Sequence, residues 1–268
     1  MSATGRASGA TATAATAAPA TRRASAVGRV LAYARFETVG MLRNGEQLLV
    51  AVVLPALALV GLGAADIVRL PGDAARIDVV APGVIALAIV SSSFTSQAIA
   101  TAFDRRWGVL RQLATTPLGS PGIVLGKGLA VLAVQVIQIA LLTGLGLALG
   151  WRPETGALWA AVLAWWLGSL SFTALGLVLA GRLRAEAVLA VANLAWVVLA
   201  GVGGLLLPTS GDTPVPVPAM AWLPTGALGD ALRETLGAGA VPGVGLVVLG
   251  VWALALVLAA TRWFRPSE

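Results

Sequence analysis

The sequence predicts an all-α membrane protein: six transmembrane helices, an N-terminal interfacial (elbow) helix, and an outer segment before the last span. Three observations carry that reading. Apolar residues make up 58% of the 268 positions and charged residues 11%, with a mean hydropathy of +0.89, against roughly 25% charged residues in a soluble domain. Six stretches approach the 20 or so apolar residues that a helix needs to cross a bilayer: 47–65, 79–102, 123–150, 157–180, 187–207 and 241–261. The basic residues, finally, alternate between the connecting segments.

Residues 1–26 are Ala, Thr, Ser and Gly with scattered Arg and no acid, too polar and small to pack a core, and read as a disordered cytoplasmic tail. A transit peptide or a twin-Arg signal at Arg22-Arg23 is the alternative, but Arg29, Arg35 and Glu37 interrupt the apolar run that a signal needs. Residues 27–268 form the membrane domain. From Val27 to Leu42, apolar positions recur near helical spacing between Arg29, Arg35 and Glu37. This suits a helix in the membrane interface, or an extension of the first span broken at Asn44-Gly45. The segment 208–240 holds five prolines and the half-apolar run Met220-Ala221-Trp222-Leu223-Pro224. It is read either as a re-entrant dip, which needs burial in protein, or as a loop with an interfacial Trp.

An even number of spans puts both termini on one side. With that side cytoplasmic, the inner segments hold Arg6, Arg22, Arg23, Arg29, Arg35, Arg43, Arg105, Arg106, Arg111, Lys127, Arg182, Arg184, Arg262 and Arg265. The outer ones hold Arg69, Arg76, Arg152 and Arg233. Fourteen against four sets the orientation. The same asymmetry accounts for a net charge of +6 and a pI near 11.3 without a nucleic-acid partner.

There is no cysteine and no histidine. Thiol nucleophiles, His-based acid/base catalysis and Cys/His metal sites are therefore excluded. None of the twelve acids falls mid-span, which leaves a gradient-driven carrier without its usual ionisable residue. Lys127, near the inner end of its span, is expected to snorkel. The nearest approach to a phosphate-binding loop, Pro121 to Gly128, lacks the first Gly and the final hydroxyl. Catalytic residues, cofactor and metal are all expected to be absent from this chain.

Polar side chains do enter the spans: Ser91 to Gln97, Gln135, Gln138, Thr143 and Asn193. Ser92 and Ser96 lie four apart on one helical face. With Gln97 and Asn193 they are candidates for a wall of a substrate path, or for helix packing, which small residues and hydroxyls mediate in lipid.

The loop after the second span reads Asp104-Arg105, Gly108, Leu110, Leu113, Thr116-Pro117-Leu118 and then Gly126-Lys127. With Ala34-Arg35-Phe36-Glu37, Arg43-Asn44-Gly45-Glu46, Pro55 and the late Leu232-Arg233, it resembles the permease subunits of ABC-2 type exporters. Asp104 stands where that family usually has Glu, and Trp107 where a polar residue is commoner. The resemblance implies a multi-pass bacterial plasma-membrane subunit, similar to drug and antibiotic exporters, whose skeleton polysaccharide exporters share. It implies a second permease, identical or related, and two cytoplasmic ABC ATPases that would bind the ATP and Mg.

The expected mechanism follows from the resemblance. Asp104 to Leu113 would form a coupling helix in a groove of the ATPase, with Arg105, Arg106 and Arg111 as electrostatic partners and Leu110 and Leu113 as apolar anchor. The loop bearing Arg182 and Arg184 would be a second contact, and ATP-driven closure would switch the permease pair from inward-open to outward-open, expelling an amphipathic molecule. Two other readings stay open: the arginines only mark the inner face, or the chain is a non-transporting membrane anchor.

Overall fold

The computed structural model describes residues 25–45, 49–64, 76–206, 208–209 and 218–263. The expected tail as far as residue 24, Arg69, Arg265 and most of the run before Pro218 lie outside the described residues. All regular structure among the described residues is helical.

Helix α1 (Ala26–Arg43) starts where the Ser25 hydroxyl accepts the Gly28 N–H at 3.1 Å, a side-chain N-cap. A π-helical turn at Leu49–Val53 leads into α2 (Leu54–Ala64); Pro55 has no N–H to donate and suits the first turn of the new helix. Next, α3 runs unbroken from Arg76 to Arg106, 31 residues, and contains a π-helical segment at Ser91–Ser96. Short α4 (Val109–Ala114) is followed by α5 (Gly119–Ala148), α6 (Leu158–Arg182) and α7 (Ala185–Val202). A 3-10 turn (Pro218–Trp222) precedes α8 (Pro224–Ala238) and α9 (Gly243–Trp263).

Four of these helices are long and apolar enough to cross a membrane: Arg76–Arg106, Pro121–Ala148, Leu158–Arg182 and Gly243–Arg262. They coincide, to within two residues at the ends of three of them, with four of the six expected spans. The first and fifth expected spans fall on shorter apolar helices, Ala51–Gly63 and Ala185–Gly201. The fifth stops early because the chain turns at Gly203 and then at Gly204, which has φ +75°.

Helix α3 is the central post, with Val80 to Gln97 buried throughout. It packs against α2, α5, α6 and α8, and its lower half against α7. At about 1.5 Å per residue it is some 46 Å long, well beyond a hydrocarbon core of about 30 Å. The expected helix Asp104 to Leu113 is therefore two elements. Asp104, Arg105 and Arg106 finish α3, the chain breaks at Trp107-Gly108 with Gly108 at φ +76°, and α4 starts afresh. That left-handed conformation suits Gly, and it ends the helix.

At the opposite end, α8 is a buried amphipathic helix seated on α3, α6 and α9. Gly83 of α3 lets the bent run after α7 approach; a Cβ there would lie 2.6 Å from the Leu205 carbonyl oxygen. The Arg233 guanidinium donates to the Gly204 and Leu205 carbonyls and, at 2.8 Å, to Asp230, which accepts from Thr209 in turn. These bonds tie α8 to the run that follows α7.

Candidate functional site

The arginine-rich end of the bundle is built around one lysine, the sole lysine of the chain. Lys127 is on the third turn of α5 and is 1% exposed. It does not snorkel. Its Nζ donates to Asp104 Oδ2 on α3 at 2.7 Å and to Glu37 Oε1 on α1 at 2.9 Å, and Glu37 also accepts from the Tyr33 hydroxyl. Burial, and after it the Glu37 carboxylate, push the Tyr33 phenol well above its ordinary range. Gly126 admits this arrangement, because a Cβ there would lie 2.3 Å from the Tyr33 ring. Three helices are thus fastened at one point, and a buried ammonium has two anionic partners, as its desolvation requires.

A second tie joins the two expected contact loops. Arg105 donates to the Gly181 carbonyl at 2.6 Å and the Leu183 carbonyl at 2.8 Å, closing the orphan C-terminal carbonyls of α6. Arg106 pairs with Glu186 in the first turn of α7. Both loops therefore belong to one surface. Arg105 is turned inward to hold it together, whereas Arg111 is exposed. Arg182 and Arg184 are exposed on the adjoining loop.

Leu110 is fully buried against Tyr33 and Ile123, with Leu113 and Leu118 beside it. These leucines seat α4 on α1 and α5. The apolar side chains that this surface presents outward are Trp107, 69% exposed, and Val109; Trp107 also stacks obliquely on Phe103 at 5.3 Å. A shallow depression of about 550 Å³ lies among Arg105, Arg106, Trp107, Arg111, Gln112 and Thr115. Its chemistry is basic and aromatic, suited to holding a partner with acidic and apolar side chains.

The polar residues of the spans separate. Ser92, Ser96 and Gln97 are buried inside the bundle, and Asn193 is exposed on α7. Around the π-helical segment a closed network forms. Gln135 Nε2 donates to the Ile89 carbonyl at 3.1 Å and to Ser92 Oγ at 3.0 Å, and its Oε1 accepts from Trp165 Nε1 and Ser169 Oγ. Trp196 of α7 donates to Ser91 at 2.5 Å. Ser91, Ser92 and Ser93 also bond back to carbonyls of their own helix, as hydroxyls in apolar surroundings do. Sequence reasoning missed the Lys127 junction and this network. The signal for the first was the sole lysine of the chain and the sole acid of α1, Glu37.

Among the described residues no three His, Cys, Asp or Glu side chains gather as a metal site. The chain from residue 72 to 263 matches the family described as ABC-2 family transporter protein. None of the curated proteins compared matches it significantly.

Proposed function

This chain belongs to the ABC-2 transporter family, so it is a membrane component of a transporter, and we propose that it is the permease half of an ATP-driven exporter of amphipathic small molecules. The observation that carries the proposal is the joined surface at the arginine-rich end. Arg105 and the Arg106–Glu186 pair lock the loop after α3 to the loop after α6. Trp107, Val109 and Arg111 are left to meet a partner. The partner is a cytoplasmic ABC ATPase, one for each of two permeases, the second permease being a copy or a paralogue. Force on this surface passes into α3 directly and, through Lys127, into α1 and α5.

The excess of Arg at this end supports a cytoplasmic placement with both termini inside. In that orientation α2 and α7 complete six spans, α1 lies in the inner interface with Val27, Leu31 and Phe36 turned to lipid, and α8 is an outer re-entrant helix. Asn193, on the exposed face of α7, is then accessible to a second permease or to substrate.

Two measurements test this reading. The chain has no native cysteine, so a single Thr115→Cys variant reports sidedness with a membrane-impermeant maleimide. Labelling is expected in inverted vesicles and not in intact cells, and the reverse result overturns the orientation. Trp107→Ala combined with Arg111→Glu is expected to abolish co-purification of an ATPase identified by its phosphate-binding loop, with the permease still in the membrane. An intact permease that never carries an ATPase would favour an anchor role.

A further inference from the structure

Helices α5, α6 and α9 do not close on one another at the arginine-rich half of the bundle. α6 packs along α9, while α5 is held by α1 and α3, and a groove of about 690 Å³ opens between them. Its walls include Leu125 and Leu132 of α5, Leu170 and Leu177 of α6, and Val257 of α9. No charged side chain lines it; its polar side chains are the hydroxyls of Ser169, Thr173 and Thr261 and the indole of Trp166, and Ser169 is already committed to Gln135.

Its extent identifies the occupant. On α5 the lining runs from Pro121 to Leu132 and on α6 from Trp166 to Leu177. Either run is about 16 Å at 1.5 Å per residue, close to half of a hydrocarbon core of about 30 Å. The groove is therefore one leaflet deep, whereas a spanning helix of a second chain would need a seat twice as long. At its open end the lining residue Thr261 is followed, in the last turn of α9, by the exposed Arg262.

We propose that this groove is a binding site for an anionic inner-leaflet phospholipid, its acyl chain lying along Leu125, Leu132, Leu170 and Leu177 and its phosphate headgroup beside Arg262. Hydrocarbon fills an apolar cleft that water cannot wet profitably, and guanidinium groups at headgroup depth select negative charge. The site is separate from the ATPase-facing surface and from Asn193.

Gly128 provides the test, since it lines the groove and a Cβ there meets nothing within 4 Å. Gly144, with the same freedom on the exposed distal half of α5, is the control for bulk. Nanodiscs of phosphatidylcholine would carry a trace of phosphatidylglycerol bearing a mid-chain diazirine, or of phosphatidylcholine bearing the same group. Cross-linked peptides are then mapped by mass spectrometry. The phosphatidylglycerol probe is expected to label Leu125 to Leu132 and Leu170 to Leu177 above the equally lipid-facing Leu141. Gly128→Phe should remove that excess and Gly144→Phe should leave it. Arg262→Gln should lower the preference for phosphatidylglycerol about fivefold. Uniform labelling of all lipid-facing leucines, or labelling indifferent to Gly128→Phe in a protein that purifies like the wild type, overturns the site. So does protection of the groove by a second protein chain in the same discs.

Discussion

Lys127 Nζ lies 2.7 Å from Asp104 Oδ2, so the foot of α5 is pinned to the last turn of α3 at the point where that helix leaves the bundle. The same ammonium holds Glu37 of α1. Any displacement of the Asp104–Arg106 turn must therefore move three helices or break a buried ion pair, and this is how a contact at the protein's edge can act on its core.

Removal of the ammonium strands two carboxylates in a place shaped for three charges. Lys127→Met is expected to destabilise the fold by about 3–5 kcal/mol, read as a lowered midpoint in detergent-titration unfolding. Asp104→Asn should cost less, because Lys127 keeps Glu37. Equal losses for the two variants would contradict a shared junction.

Arg105 has a structural duty distinct from its exposed neighbours. Arg105→Ala leaves the Gly181 and Leu183 carbonyls without their charged donor, a loss of about 1.5–3 kcal/mol locally. Hydrogen exchange of the amides at 182–187 is expected to accelerate in this variant and to stay unchanged in Arg111→Ala. If both variants exchange alike, the loops are not tied through Arg105.

Gln135 satisfies four groups from α3 and α6 within the bundle. Gln135→Leu keeps the volume and orphans the Trp165 indole, while the Ser169 hydroxyl keeps the Trp165 carbonyl as its acceptor. Hydrogen bonds between membrane helices average about 0.6 kcal/mol each, with a ceiling near 1.7. The expected loss is about 1–2 kcal/mol in the same unfolding assay, below that of Lys127→Met. A neutral substitution would mean that the network is replaced by alternative partners.

At the other end, Gly83→Ala places a methyl 2.6 Å from the Leu205 oxygen, inside contact distance of backbone that Arg233 holds in position. Overpacking of this sort costs about 1–3 kcal/mol. The effect should appear as faster hydrogen exchange at 203–206 with α4 unaffected; equal acceleration at both ends would point to global destabilisation instead.

Much of the architecture was legible because it depends on solvent. Apolar runs of bilayer length and the bias of Arg are consequences of transfer free energy and membrane charge, which composition and spacing record. Helices were therefore anticipated at every expected span, and a family likeness was visible in the loop from Asp104 to Leu118. The division of labour within that loop was not. Leu110 and Trp107 are both large and apolar, and only the break at Gly108 decides that the first is buried and the second exposed.

By itself, then, the sequence determined an α-helical membrane protein with one basic end and without cysteine or histidine. Those properties are sums over local residues. The tertiary structure alone decided that Glu37, Asp104 and Lys127 meet, that Arg105 faces inward and Arg111 outward, and that α5 stands off from α6 to leave a groove. Each of these relations joins residues far apart in the chain, so it exists only once the helices have packed.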